Sequence, residues 1–264
     1  MRASRSARFG RTLLRIAALL LVSTLALQAY FALRVLAMAS SDPRSTTFQR
    51  SEAWRLAWGP RPVDWRQQWA PYDAIATSLK QAVIASEDAG FNEHSGIEWD
   101  ALEKAWERNQ RAEDAADRRD ARVGRVRVPG SSPGAPAPAR PARIVGGSTI
   151  TQQLAKNLFL SSERNFVRKG QELVLAYLME ALLGKRRILE IYLNSVEWGE
   201  GVFGAEAAAQ RHFRVAARDL QPVQSARLAV MLPAPKRFEK RPSSPYVVGR
   251  AATITACMGA VPLP

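Results

Sequence analysis

Residues 75–96 read IATSLKQAVIASEDAGFNEHSG. Within that run Ile75, Leu79, Ala82, Val83 and Ser86 recur at helical spacing and share one face. The helix they predict runs into Glu87 and Asp88, then into a turn carrying Phe91, His94 and Gly96. A carboxyl at the end of such a helix lies beside an apolar face. Partial burial raises its pKa and makes it a better base near neutral pH. Glu87 is therefore a candidate general base, with Phe91 packing under it and Asp88 and His94 holding the turn. Ordinary helix-end polarity accounts for the same residues, so the segment alone leaves both readings open.

The pattern continues downstream. In GGSTITQQLAKN (146–157), Ser148 or Thr149 can cap a helix running to about Leu160, with Ile150, Leu154 and Leu158 on one face. A helix start with small residues, hydroxyls and free N–H groups suits a phosphate or a sugar. Capping explains Ser148 and Thr149 but not the pair Gln152 and Gln153; Lys156 lies one to two turns further on. Helices are also predicted over Asn165–Leu183, from Lys185 to about Asn194, near 219–232 with Pro233 and Pro235 ending it, and over 245–259. Gly204–Phe213 is Ala-rich. Arg168 and Lys169 stand four and three residues before Glu172, on one helix face. They form either a surface salt-bridge array or a cationic patch fit for a pyrophosphate leaving group. No stretch alternates with period two, so the fold class expected after the N-terminal segment is all-α with long connections.

The chain has 264 residues, a formal net charge of +14, 47% hydrophobic residues, one Cys and two His. The apolar share excludes wholesale disorder, the single Cys257 excludes an intramolecular disulfide or Cys-based zinc cluster, and two histidines leave little for a His-rich metal site. The charge suggests a polyanionic partner, nucleic acid by default. Its distribution points elsewhere. Residues 1–34 hold six Arg and no acid, and 108–143 hold nine Arg against four acids. The first segment contains the uncharged run Ile16–Leu33, long enough for a bilayer span, behind Arg2, Arg5, Arg8, Arg11 and Arg15. Those arginines predict a cytoplasmic N-terminus (1–15), an anchor over 16–39 and a catalytic part outside the cytoplasm. A cleaved signal peptide is the alternative, since Ala37-Met38-Ala39 resembles a cleavage site. Residues 40–64 read as a juxtamembrane segment. Trp54, Trp58, Trp65 and Trp69 lie in or just beyond it, either at the membrane–water interface or packed on the domain. The second basic segment lies in a Pro/Gly/Ala/Ser-rich stretch, 110–145, that reads as a mobile insertion.

In order, four segments resemble the motifs of the peptidoglycan glycosyltransferases, glycosyltransferase family 51, which includes the glycosyltransferase domains of class A penicillin-binding proteins. E-D-x-x-F-x-x-H-x-G is matched by Glu87, Asp88, Phe91, His94 and Gly96; G-x-S-T-x-T-Q-Q by Gly146, Ser148, Thr149, Thr151, Gln152 and Gln153; R-K-x-x-E by Arg168, Lys169 and Glu172; and K-x-x-I-L-E-x-Y-L-N by Lys185, Ile188, Leu189, Glu190, Tyr192, Leu193 and Asn194. A fifth region near Arg227–Pro235 is similar, and Val196–Phe213 looks most like the monofunctional biosynthetic transglycosylases. The chain's end at residue 264 agrees with that form, since it leaves no room for a transpeptidase domain. Two departures stand out: the long connection 109–145, and Gln224 where relatives often have Glu.

The resemblance implies a lysozyme-like helical domain over about 65–260. It implies an inverting transferase that polymerises lipid II into β-1,4 glycan for cell-wall biogenesis and cell shape, releasing undecaprenyl pyrophosphate. Glu87 and Glu172 would be the catalytic pair, Glu87 as the base and Glu172 organising the cations or the donor site without taking a proton itself. Asp88, Phe91, His94, Gly147, Ser148, Thr149, Gln152, Gln153, Lys156, Arg164, Arg168 and Lys169 would bind substrate, and Glu190, Tyr192 and Asn194 would form a structural motif. No cofactor is required and no metal ligands are assigned, with room for a divalent cation (Mg or Mn) at the pyrophosphate. Expected partners are lipid II, undecaprenyl-linked glycan and the membrane bilayer, with cell-wall synthases or division proteins as protein partners and no nucleic acid. The expected location is the bacterial inner membrane, single-pass, with a periplasmic catalytic domain. The competing functions are a lysozyme-like lytic enzyme and an inactive membrane-tethered scaffold.

Overall fold

The computed structural model of the chain describes residues 2–59, 64–99, 103, 107, 111, 148–160 and 165–264. Apart from Arg111, the expected insertion at 110–145 lies outside these residues, as do Gly146, Gly147 and Arg164.

Helix α1 (Arg2–Ala37) is continuous, and its stretch Phe9–Ala37 is long and apolar enough to cross a membrane. Leu19, Leu20, Leu21, Val22 and Leu25 are each at least 60% exposed, which separates this helix from a buried core helix. Its last turns dock on the domain. Val35 and Met38 are buried in the core, and Phe31 meets Phe159 edge-on at 5.4 Å. Gln28 and Gln171 exchange amide hydrogen bonds of 2.7 and 3.1 Å. Where the sequence suggested only a juxtamembrane segment, helix α2 (Thr47–Ala57) forms. It starts with a reciprocal capping box: Gln49 N–H donates to Thr46 Oγ1 and Thr46 N–H to Gln49 Oε1. Thr47 then ties α2 to the carbonyl of Leu158. Trp54 and Trp58 stay exposed, whereas Trp65 lies 4.6 Å from the Phe203 ring and Trp69 packs against the core.

The domain is built from α3 (Thr77–Glu87), α4 (Ile150–Phe159), α5 (Phe166–Ser195), α6 (Ala205–Phe213), α7 (Pro222–Met231), a single turn α8 (Pro235–Phe238) and α9 (Pro245–Cys257). Helix α4 packs on α5, and α7 is held between α3 and α9. The apolar stripes read from the sequence face inward: Leu79, Ala82, Val83, Ile150, Leu154, Leu158, Ile188, Leu189 and Leu193 are fully buried. Each large aliphatic among them stabilises the fold by roughly 1.5–3 kcal/mol. Helix α5 contains the two expected helices, joined at Gly184 with φ +71°, a conformation that breaks the helical run and that glycine adopts without strain. At the start of α7, Gln224 Oε1 accepts from the Gln221 N–H at 2.9 Å, a capping role that Gln fills as well as Glu.

The all-α reading missed one feature. Strands β1 (Arg66–Gln67), β2 (Glu197–Gly199) and β3 (Val202–Phe203) form a small sheet in the order β1-β3-β2, with β1 parallel and β2 antiparallel to β3. Runs of two or three residues are too short to show alternation. The sheet matters because β2 carries Glu197 into the interior.

Asn194 and Glu190 close the domain around the chain leading into α3. Asn194 Oδ1 accepts from Ala70 N–H at 2.8 Å and its Nδ2 donates to Ala70 O at 2.9 Å, while Glu190 accepts from Tyr72 N–H at 3.0 Å. Asn194→Ala leaves two buried backbone groups of Ala70 without these partners. It is expected to lower the unfolding free energy by about 2–4 kcal/mol, read as a lower urea midpoint with an unchanged slope.

Candidate active site

Glu87 is the last residue of α3 and is half-buried. Across from it, Gln153 in the first turn of α4 donates Nε2–H to Glu87 Oε2 at 3.0 Å. The other end of that amide accepts from the Tyr192 hydroxyl at 2.9 Å, and its Nε2 also donates to Ser148 O at 3.4 Å, so its orientation is fixed by three partners. Burial lifts the Glu87 carboxyl above the ordinary range, the Gln153 hydrogen bond pulls it back, and the charge of Asp88 adds to the rise. Burial also holds the Tyr192 phenol well above its usual value, with Glu87 and Asp88 adding to the effect, so it remains a neutral donor.

Asp88 is a strut. Its Oδ1 lies 2.8 Å from His94 Nε2 and its Oδ2 accepts from Ile150 N–H at 2.9 Å, which joins the turn after α3 to the start of α4. Thr149, not Ser148, caps α4 and accepts from Gln152 N–H. Thr149 Oγ1 and Gln152 Nε2 both donate to Gly96 O, at 2.7 and 3.4 Å. Asp88, Phe91, Thr149 and Gln152 are no more than 5% exposed, and the His94 side chain is 10% exposed. The polar atoms of Asp88, His94, Thr149 and Gln152 brace the turn and the α4 start, and Phe91 packs in the core, so that these residues position Glu87 and Gln153.

Glu180, which the sequence reading did not single out, completes the brace. It accepts from Thr151 Oγ1 at 2.5 Å and from Lys185 Nζ at 2.8 Å, and Lys185 also donates to His94 O at 2.6 Å. Gly96 has φ +83°, and a Cβ there would lie 2.8 Å from Glu180 Cγ and 3.3 Å from Ala176 O. Gly96→Ala combines backbone strain with a clash. It is expected to destabilise by about 1–3 kcal/mol and to depress turnover with it, checked by thermal melting beside the rate.

On α5, Asn165 caps the helix by accepting from Arg168 N–H. The buried Glu172 accepts from Arg168 Nη1 at 2.9 Å and from Lys169 Nζ at 2.5 Å, and Lys169 reaches on to Gln152 Oε1 at 3.3 Å. Between α4, α5 and β2 lies a cleft of about 360 Å³ whose wall includes Gln153, Lys156, Asn157, Arg168, Tyr192 and Glu197. Arg168 Nε is buried there without a hydrogen-bond partner. An unpaired guanidinium donor in a cleft calls for an oxygen anion. Thus Gln153, Lys156 and Arg168 meet in one cavity, with Glu87 joined to it through Gln153 and Glu172 behind the cations. Gly147 and Arg164 lie outside the described residues. Among the described residues no group of three or more His, Cys, Asp or Glu side chains is placed to hold a metal ion.

A family model described as Transglycosylase matches residues 60–117 and 138–259. The chain belongs to that family. Transglycosylase relatives align along nearly all of it. A protein of Burkholderia thailandensis is 49% identical over 240 residues, 91% of this chain and 83% of the relative. One of Paraburkholderia xenovorans is 44% identical over 254 residues, 96% and 94% of the two chains, and one of Bordetella pertussis is 48% identical over 226 residues, 86% and 84%. All three are named biosynthetic peptidoglycan transglycosylase. The matched span of this transglycosylase contains all four motifs.

The sequence reading also missed Glu197, in the cleft wall, and Lys236 beside it. A lone Glu in an apolar surrounding (Val196, Trp198) was the only available signal.

Proposed function

We propose that this chain is a peptidoglycan glycosyltransferase that joins lipid II units into β-1,4-linked glycan and releases undecaprenyl pyrophosphate. The observation that carries the reading is the cleft wall: Gln153 in it orients the Glu87 carboxyl, lifted in pKa, and Arg168 in the same wall has a buried Nε without a partner. Glu87 takes the proton from the 4-hydroxyl of the acceptor GlcNAc, and that oxygen attacks C1 of the donor MurNAc. The C1–O bond to the pyrophosphate breaks with inversion. Negative charge then gathers on the leaving oxygens, where Lys156, Arg168 and Lys169 offset it, with Arg164 as a fourth cation. Glu172 keeps Arg168 and Lys169 pointed at that charge. No cofactor is required in this reading; a divalent cation, Mg or Mn, would add positive charge at the pyrophosphate when bound.

The anchor reading belongs to the same proposal: residues 1–15 cytoplasmic, 16–39 in the inner membrane, and 65–260 a periplasmic catalytic domain. The exposed apolar surface of α1 and the six arginines in residues 1–34 support it. Tethering confines enzyme and lipid substrate to one surface and raises their effective concentration. Cell-wall synthases or division proteins fit as partners on the membrane.

Incubation of the full chain with lipid II tests the function. Polymer with released undecaprenyl pyrophosphate is the expected product; cleavage of finished murein with lipid II untouched would establish the lytic reading. A reporter fused after Pro264 tests the topology, and a cytoplasmic signal would overturn it.

A further inference from the structure

Glu197 is 8% exposed at the start of β2, yet it forms part of the cleft wall. Its Oε1 is buried without a hydrogen-bond partner. Lys236 Nζ lies 3.4 Å away as an ion pair, while its short hydrogen bond goes to Glu52 Oε2 at 2.5 Å. The residues around the carboxyl thus leave one acceptor position unsatisfied, and an unmet buried acceptor is unfavourable until a donor arrives. Burial lifts the carboxyl to about 7 against the pull of Lys236, with the charge of Glu52 adding to the rise.

The surroundings indicate the donor. The same cleft wall includes the apolar Phe48, Val196, Leu232 and Pro235, and Asn157 adds a further polar group. The cations Lys156 and Arg168 belong to the same cavity. A pyranose ring has this mixed character: C–H faces that pack on apolar walls and edge hydroxyls or an acetamido N–H that need acceptors.

We propose that Glu197 is a substrate-reading residue of the cleft, whose Oε1 accepts a hydrogen bond from a hydroxyl or acetamido N–H on a sugar ring of the lipid-linked disaccharide. It takes no part in proton transfer at the reacting atoms. This rests on the lipid II reading, and it distinguishes the cleft from a purely cationic pyrophosphate site. A merely structural Glu197 would behave differently: an under-satisfied buried carboxyl is destabilising, so its replacement by an apolar residue would raise stability and leave binding alone.

The test measures equilibrium binding of lipid II in detergent micelles and, separately, steady-state polymerisation, using the full-length chain and its Glu197→Leu, Glu197→Ala and Glu197→Gln variants. The Leu variant is expected to melt no lower than the parent and to bind lipid II about tenfold more weakly, a change of ~1.4 kcal/mol. KM should rise with little change in kcat. The Gln variant, which keeps an acceptor oxygen, should stay within about threefold of the parent. The loss should be as large with lipid II whose stem peptide is cut back to one residue. A folded Leu or Ala variant that binds as tightly as the parent overturns the proposal, and so does a loss confined to the full stem peptide or one that falls on kcat alone. Should the parent bind lipid II without polymerising it, the proposed function fails, while the binding data still decide the role of Glu197.

Discussion

Glu87→Gln is expected to reduce lipid II polymerisation by about 10²–10⁴-fold, the usual contribution of a positioned general base, in a protein that melts no lower than the parent. The amide keeps the size and hydrogen-bonding capacity of the carboxyl toward Gln153 and cannot accept the acceptor's proton. The stability half follows from linkage. The folded protein holds the Glu87 proton more tightly than the unfolded chain does. Glu87 therefore favours the fold fully below its unfolded pKa, and that contribution is lost as pH rises through the raised folded value. At neutral pH the ionised carboxyl is a liability that Gln removes. The difference in melting temperature between variant and parent should accordingly be larger at neutral pH than in acid. In the parent, kcat/KM should climb with pH through an inflection above the ordinary carboxylate range. Undiminished turnover in a folded Glu87→Gln protein would end the base assignment.

Glu172→Gln is the second large effect. Glu172 is buried and accepts from both Arg168, in the cleft wall, and Lys169, so it fixes two cations. A glutamine can accept from one of them, but its NH₂ then faces the other, and two positive charges lose the carboxylate between them. The expected loss is about 10²-fold in kcat/KM, of the size seen when one preorganised group opposite developing negative charge is removed. Because Glu172 serves to orient the cations, the loss should appear without the pH shift that changing a base would produce. Pre-steady-state release of pyrophosphate lipid would read the slowed step directly. A variant with parental kcat/KM would reduce Arg168, Lys169 and Glu172 to a surface ion-pair array.

Much of the helical framework was legible because it is a local property. Ile75, Leu79, Ala82 and Val83, or Ile150, Leu154 and Leu158, declare a buried helix face within a dozen residues, and the structure buries them. The break between Leu183 and Lys185 was also visible, and Gly184 makes it. Helix α2 was missed because its large apolar residues, Phe48, Trp54 and Leu56, are sparse, so that its capping box, not its periodicity, defines it. The sheet was missed because its strands are shorter than one period of reliable alternation. Among the candidate residues, the motif pattern pointed to Gln153, Lys156 and Arg168, which share one cleft wall, and to Glu87 and Glu172, which are hydrogen-bonded to Gln153 and Arg168. It could not separate the groups that line the cleft from those that brace it. Phe91 and Thr149 read alike with Glu87 and Gln153 in the sequence; only burial tells them apart.

By itself, then, the sequence determined the helical class, the span able to cross a membrane, the order of the motifs and the family they signal. Each of these is written in spacing along the chain. Tertiary structure alone decided that Gln153 bridges Glu87 and Tyr192, that Asp88 and Glu180 are struts, and that Glu197 reaches the same cavity as Arg168 with an acceptor left open. The reason is that burial and hydrogen-bond satisfaction depend on which distant segments pack together, and helical periodicity shows which face turns inward without showing what it will meet.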